Sequence, residues 1–158
     1  MKIKVCGMKY DENIKSIAAL EPDFLGFIFY DKSKRNFEGQ ISEIAAGIKK
    51  VGVFVNATTS FVRSKILKYD LDAVQLHGDE SIEYCINLRE ENRHGLEIIK
   101  AFSMSQGFDF KLLEHYMPVC DYFLFDTKGV DRGGNGMLFD WNLLQQYKLD
   151  KPFFLSGG

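Results

Sequence analysis

The sequence predicts an α/β protein built as a βα barrel. Three observations carry that expectation. Short apolar runs alternate with amphipathic stretches, the runs start every ~20–30 residues, about the length of one βα unit, and several runs are apolar almost without a break. Strands covered on both faces read this way, as in a parallel sheet. In order, the first strand is expected over Lys2 to Cys6, followed by a helix near Glu12 to Leu20. Phe24 to Phe29 is the second strand, and Ile41 to Ile48 the second helix. Val51 to Val55 leads into a helix over Ser60 to Tyr69, and Ala73 to Leu76 into one over Glu80 to Glu91. Ile98 to Phe102 precedes a helix at Phe110 to Tyr116, and Tyr122 to Phe125 one at Asn142 to Tyr147. Pro152 to Leu155 is the seventh strand. The glycine-rich stretch with Gly129, Gly133, Gly134 and Gly136 reads as the long loop after the sixth strand.

An open doubly wound sheet also fits such a repeat. It is disfavoured because no G-x-G-x-x-G follows the first strand. Polar residues instead recur where strands end: Cys6, Asn56, His77, Asp126 and Ser156. In a βα barrel the C-terminal strand ends and their loops build the site. The expectation is one domain over residues 1–158, a (β/α)8 TIM barrel with seven strands and six helices in view. Barrels of this kind usually take ~200–250 residues, so the chain reads as part of a longer protein, cut after its seventh strand.

Composition narrows the function classes. Lys plus Arg number 20 against 22 Asp plus Glu, a formal net charge of −2. No cationic excess points to nucleic acid or an anionic membrane, whereas a small anionic ligand needs only a local cationic spot. The three cysteines, Cys6, Cys85 and Cys120, are far apart and form no Cys-x-x-Cys. That argues against a disulfide framework and a structural zinc site, and for a reducing compartment. The N-terminus has no signal-peptide pattern and no run approaches the ~20 apolar residues of a membrane helix. A cytoplasmic location is expected.

The strand ends supply the chemistry. If Cys6 points into the barrel, Lys4 and Lys2 do too, because residues two apart share a strand face. A thiol above an ammonium has its thiolate favoured, which suits a base or nucleophile; a buried thiol can equally be inert. Asp126 ends an apolar strand, where desolvation raises a carboxyl pKa and suits a general acid; a helix cap or loop brace is the plainer alternative. The loop from Tyr30 to Asn36 can place Arg35 over the pocket, and a guanidinium grips a carboxylate bidentately. Gln75 and His77 share one face of the fourth strand. His77 has no second ligand beside it, so a hydrogen-bonding role fits better than a metal. Ser156, Gly157 and Gly158 follow the seventh strand, where backbone N–H groups approach phosphate in many barrels. Cys85 and Cys120 read as structural.

An ordered set of motifs goes further. Val5-Cys6-Gly7-Met8, Gly26-Phe27-Ile28-Phe29-Tyr30, Lys32-Ser33-Lys34-Arg35 and Val51-Gly52-Val53-Phe54-Val55-Asn56 come first. Val74-Gln75-Leu76-His77-Gly78, Asp126-Thr127-Lys128, Gly133-Gly134-Asn135-Gly136, Phe139-Asp140-Trp141 and Leu155-Ser156-Gly157-Gly158 follow. Together, over the whole chain, they closely resemble the phosphoribosylanthranilate isomerase family of tryptophan biosynthesis. The resemblance implies a barrel and a cofactor-free Amadori rearrangement of N-(5-phosphoribosyl)anthranilate to 1-(2-carboxyphenylamino)-1-deoxyribulose 5-phosphate. It casts Asp126 as general acid and Cys6 as general base. Arg35 would hold the anthranilate carboxylate, Gln75 and His77 would line the pocket, and Ser156, Gly157 and Gly158 would form half of the phosphate site. No metal, nucleic acid or membrane is implied, and the chain is expected to act as a monomer or homodimer.

Two departures from the pattern stand out. Met8-Lys9-Tyr10 replaces small polar residues. The family pattern also continues past Leu155-Ser156-Gly157-Gly158 with a seventh helix, an eighth strand and an eighth helix. Two other readings remain: a barrel fragment that binds ligand weakly without turnover, and a neighbouring barrel enzyme acting on phosphoribosyl or indole substrates. The Cys6 and Asp126 pairing disfavours the second, since indole-forming barrel synthases rely on lysine and glutamate.

Overall fold

The apolar runs form one parallel sheet whose seven strands are ordered as they occur in the chain. They are β1 (Lys4–Cys6), β2 (Phe24–Ile28), β3 (Lys49–Phe54), β4 (Ala73–Leu76), β5 (Glu97–Met104), β6 (Tyr122–Thr127) and β7 (Phe153–Ser156). The helices between them are α1 (Asp11–Ala18), α2 (Thr59–Tyr69), α3 (Ile82–Glu91) and α4 (Lys111–Tyr116), with a 3₁₀ segment at Trp141–Gln146. The structure, a computed structural model, describes residues 1–91, 95–105, 107–127 and 141–156. The glycine-rich stretch after β6 and the predicted phosphate-site residues Gly157 and Gly158 lie outside the described residues.

The sheet curls. In a flat sheet β2 and β7 stand five strand spacings apart, about 24 Å at ~4.8 Å each. Here the rings of Phe24 and Phe154 meet edge to face with centroids 5.3 Å apart. Lys2, just before β1, hydrogen-bonds to the Tyr122 hydroxyl of β6 at 3.1 Å. These contacts cross a barrel interior, as the strand-end pattern predicts.

Strand register divides the apolar residues into two layers. Phe24, Val51, Ala73, Ile99, Ala101 and Leu124 form the inner cluster, with Tyr122 and Phe154 against it. The alternate residues, among them Leu25, Phe27, Phe54, Val74, Leu76, Ile98, Phe102, Phe123 and Phe125, pack outward against the helices. This period of two, apolar on both faces, is why β2 is buried along its whole length.

Local signals set the helix ends. Asp11 and Glu12 sit in the first turn of α1, where carboxylates favour the positive end of the helix dipole. Thr58 caps α2 by accepting from Phe61 N at 3.2 Å.

One predicted helix does not form. Residues 41–48 run as irregular chain, although Ile41, Ile44 and Ile48 still pack on the outer core. Gly47, at φ +108°, lies far from helical backbone, and the segment is held by apolar packing, by a hydrogen bond from Ser42 to Asp11 and by a turn from Ile48 N to Ala45 O. The last predicted helix is a 3₁₀ segment rather than an α-helix. Among the described residues, four α-helices and this segment therefore replace the six helices expected. No described helix is long and apolar enough to cross a membrane.

Candidate active site

The inward-facing positions at the C-terminal strand ends gather the polar residues. Parallel register aligns Cys6 with Gly26, Ser103 with Asp126, and Asp126 with Ser156. A cavity of about 850 Å³ runs along the seam between β1 and β7, from Met1, Lys2 and Pro152 at one end to Cys6 and Ser156 at the other.

On the β1 side, Cys6 and Lys4 share the inner face, as their spacing predicts. Both lean over Gly26. A Cβ at residue 26 would stand 2.8 Å from Cys6 Sγ and 3.1 Å from Lys4 Nζ. Glycine there is what lets thiol and ammonium converge. Arg35 arrives from the loop after β2, which Asn36 folds back by accepting from Tyr30 N at 3.1 Å. Phe37 N donates to Ile28 O at 2.7 Å and tightens the same loop. The guanidinium crosses Gly7, whose φ of +91° suits only glycine, and Nη1 donates to the Cys6 carbonyl at 3.4 Å. The structure thus brings Arg35 to Cys6, although 29 residues separate them in the chain.

On the β4–β6 side, three predicted residues form one chain of hydrogen bonds. Gln75 Nε2 lies 2.6 Å from His77 Nδ1, and His77 Nε2 lies 3.1 Å from Asp126 Oδ2. With the Gln75 amide nitrogen donating, Nδ1 accepts, so Nε2 carries the proton and donates to Asp126 Oδ2. Gln75 and Asp126 are buried, with 2% and 6% of their surface exposed. A carboxyl removed from water and held by a histidine is arranged for proton transfer. Ser156 is half-buried at the end of β7 beside Asp126.

Sequence reasoning missed Lys100 and Glu80. They form a buried ion pair, Nζ to Oε2 3.2 Å, behind the wall that carries His77. The signal was present: a lysine inside the apolar run Ile98-Ile99-Lys100-Ala101-Phe102 must find a buried partner. Cys85 and Cys120 are buried, as the structural reading expects. A hydrogen bond with Cys85, then burial, pushes the Cys120 thiol far up, which keeps it protonated. Among the described residues no group of three or more His, Cys, Asp or Glu could hold a metal ion.

A thiol beside an ammonium and a carboxyl held by a histidine both stand at the C-terminal strand ends of one curled parallel sheet, with a guanidinium crossing beside the thiol. Such groups can move protons on a small anion, and they define the class as a βα-barrel enzyme. Comparison with known proteins narrows this to one family. The model for "N-(5'phosphoribosyl)anthranilate (PRA) isomerase" matches residues 3–158, and the chain belongs to that family. The N-(5'-phosphoribosyl)anthranilate isomerase of Parabacteroides distasonis is 46% identical over all of this chain and 73% of the relative. The crystal structure of the Thermotoga maritima phosphoribosyl anthranilate isomerase superposes with a TM-score of 0.80 at 33% identity. It covers 100% of this chain and 77% of that one. A second isomerase crystal structure, in complex with reduced 1-(o-carboxyphenylamino)-1-deoxyribulose 5-phosphate, matches with a TM-score of 0.77 at 32% identity. It covers 100% of this chain and 76% of that one.

Proposed function

We infer that this chain catalyses the Amadori rearrangement of N-(5'-phosphoribosyl)anthranilate to 1-(2-carboxyphenylamino)-1-deoxyribulose 5-phosphate, with Asp126 as general acid and Cys6 as general base. The observation that supports the assignment of roles is a pair of proton-transfer groups at the same end of one parallel sheet, on β1 and β6. Asp126 is fixed by His77, and Cys6 stands over Gly26 beside Lys4. The isomerase that binds a reduced form of this product supports the choice of substrate.

Asp126 protonates the ribose ring oxygen, and the furanose opens to a Schiff base. Cys6, as thiolate, removes the C2 proton and leaves an enolamine, which tautomerises to the ketone. Lys4 stands beside the thiol over Gly26. The Nε2–H of His77 steadies the Asp126 carboxylate once the proton has left. Arg35 takes the anthranilate carboxylate on the β1–β2 side, and Ser156 takes the phosphate side at the end of β7. The free thiols of Cys6, Cys85 and Cys120 suit a reducing compartment such as the cytoplasm.

The test is direct. The purified chain is incubated with N-(5'-phosphoribosyl)anthranilate and the rearranged product is followed by mass-resolved chromatography and NMR. Turnover that disappears in Asp126→Asn supports the reading. Ligand binding without turnover favours the barrel that binds but does not catalyse.

A further inference from the structure

Lys100 is the one charged residue between Ile98 and Phe102 on β5. Its neighbours Ile99 and Ala101 face the barrel interior, so its own side chain lies on the helix side of the wall. Nζ donates to the carbonyl oxygens of Gly78 at 2.8 Å, Ala101 at 3.1 Å and Leu76 at 3.4 Å. It also meets Glu80 Oε2 at 3.2 Å. The Glu80 carboxylate accepts from Asn56 N at 2.8 Å and from Gly78 N at 3.0 Å. Tyr116 donates to the Glu80 carbonyl at 3.0 Å. Removing two charges from water carries a large desolvation penalty, and well-packed apolar residues often serve stability as well. Stability alone gives no reason for an ion pair here.

What the pair grips is the peptide on each side of His77. The Leu76 carbonyl accepts from Lys100 at 3.4 Å, Gly78 N donates to Glu80 Oε2 at 3.0 Å, and His77 N donates to Phe54 O at 2.8 Å. These bonds fix the direction in which the imidazole leaves β4, toward Asp126. We propose that Lys100 and Glu80 are positioning residues of the acid site. Through the peptides flanking His77 they set the orientation and tautomer of its ring, and through the ring the placement of the Asp126 carboxyl. The inference rests on the reading of Asp126 as general acid.

The experiment reads His77 by nitrogen NMR, which reports tautomer and titration without needing turnover, together with steady-state kinetics. The His77 signal is assigned with His77→Asn. Glu80→Gln keeps the side-chain shape and removes the charge. The expected result is a changed tautomer balance for His77, with kcat lowered about tenfold or more and KM within about twofold. Adding Glu80→Gln to His77→Asn should slow the enzyme no further, because both act through one group. A folded Glu80→Gln variant whose His77 signals match those of the parent overturns the proposal, as does full additivity of the two substitutions. If Glu80→Gln does not fold, the paired replacement Glu80→Leu with Lys100→Met removes both charges and gives the same readouts. An unsubstituted chain without turnover counts against the proposed function instead, and the His77 signals then decide the positioning role alone.

Discussion

The two ends of the barrel interior use similar residue types to opposite purpose. At the N-terminal end the ammonium groups of Lys2 and Lys49 lie 5.6 and 5.8 Å from the centre of the Phe24 ring. Lys2 hydrogen-bonds to Tyr122, and Lys49 pairs with Glu97 at 2.6 Å. Charge there is answered by a neighbouring ring, hydroxyl or carboxylate. At the C-terminal end Lys4 and Cys6 converge over a glycine, Arg35 crosses the chain above them, and Asp126 stands on β6 with its histidine. The N-terminal groups are arranged to close a structure, and the C-terminal groups to meet a ligand. The comparison teaches that titratable residues inside a barrel are not by themselves a site; what they face decides their use.

The sharpest way to break that comparison is to exchange stability and activity between the ends. Cys6→Ala and Asp126→Asn should each lower kcat/KM by ~10²–10⁴-fold, the range of general acid–base help. Melting temperatures should stay within about 3 °C of the parent. Steady-state kinetics and thermal melts check both, and activity within threefold of the parent in either variant would falsify its assigned role. Phe24→Ala should do the reverse. It empties the centre of the inner cluster and should cost about 3–5 kcal/mol in urea unfolding, with activity per folded molecule preserved.

A smaller effect sharpens the division within the C-terminal end. Arg35 makes no proton transfer in the proposed mechanism. Arg35→Ala should therefore raise KM by about 10–100-fold, the equivalent of a charge-assisted hydrogen bond of ~1.5–3 kcal/mol, and leave kcat within a few-fold. A fall in kcat with KM unchanged would place the guanidinium in the chemistry rather than in binding.

Much of this was legible in the sequence because strand parity is a local property. The apolar runs gave the strands, and the residues closing them, Cys6, His77, Asp126 and Ser156, had to lie at one end of a parallel barrel. Lys4 and Gln75 followed by counting back two residues. Three things were not legible. The irregular course of residues 41–48 depends on an outer core that accepts Ile41, Ile44 and Ile48 without helical backbone. The approach of Arg35 to Cys6 depends on the fold of the loop after β2 and on the backbone of Gly7. The Lys100–Glu80 pair joins two residues 20 apart that carry no shared motif, and only three-dimensional packing shows which peptides they hold.

The smallest expected effect lies outside both ends and serves as their control. Tyr147 packs its ring against Phe125 and Phe153, with centroids 5.3 and 5.1 Å away, and its hydroxyl donates to the Lys151 carbonyl. Burial, with help from the nearby Asp150 charge, pushes its pKa up to about 12. An ordinary tyrosine titrates near ~10. Between those values the unfolded chain releases a proton that the folded chain keeps, so this contribution to stability is whole below pH ~10 and is lost as pH rises toward about 12. Lys2, whose pKa is raised first by its hydrogen bond to Tyr122, acts in the same direction. Tyr147→Phe should therefore make the alkaline fall in melting temperature shallower without abolishing it. At neutral pH the lost hydrogen bond should cost about 0.5–1.5 kcal/mol. Melts taken in steps from neutral pH to pH ~11.5 read both effects. Parallel curves for parent and variant would mean that Tyr147 ionises as an ordinary exposed phenol, and isomerase activity per folded molecule should not change in either case.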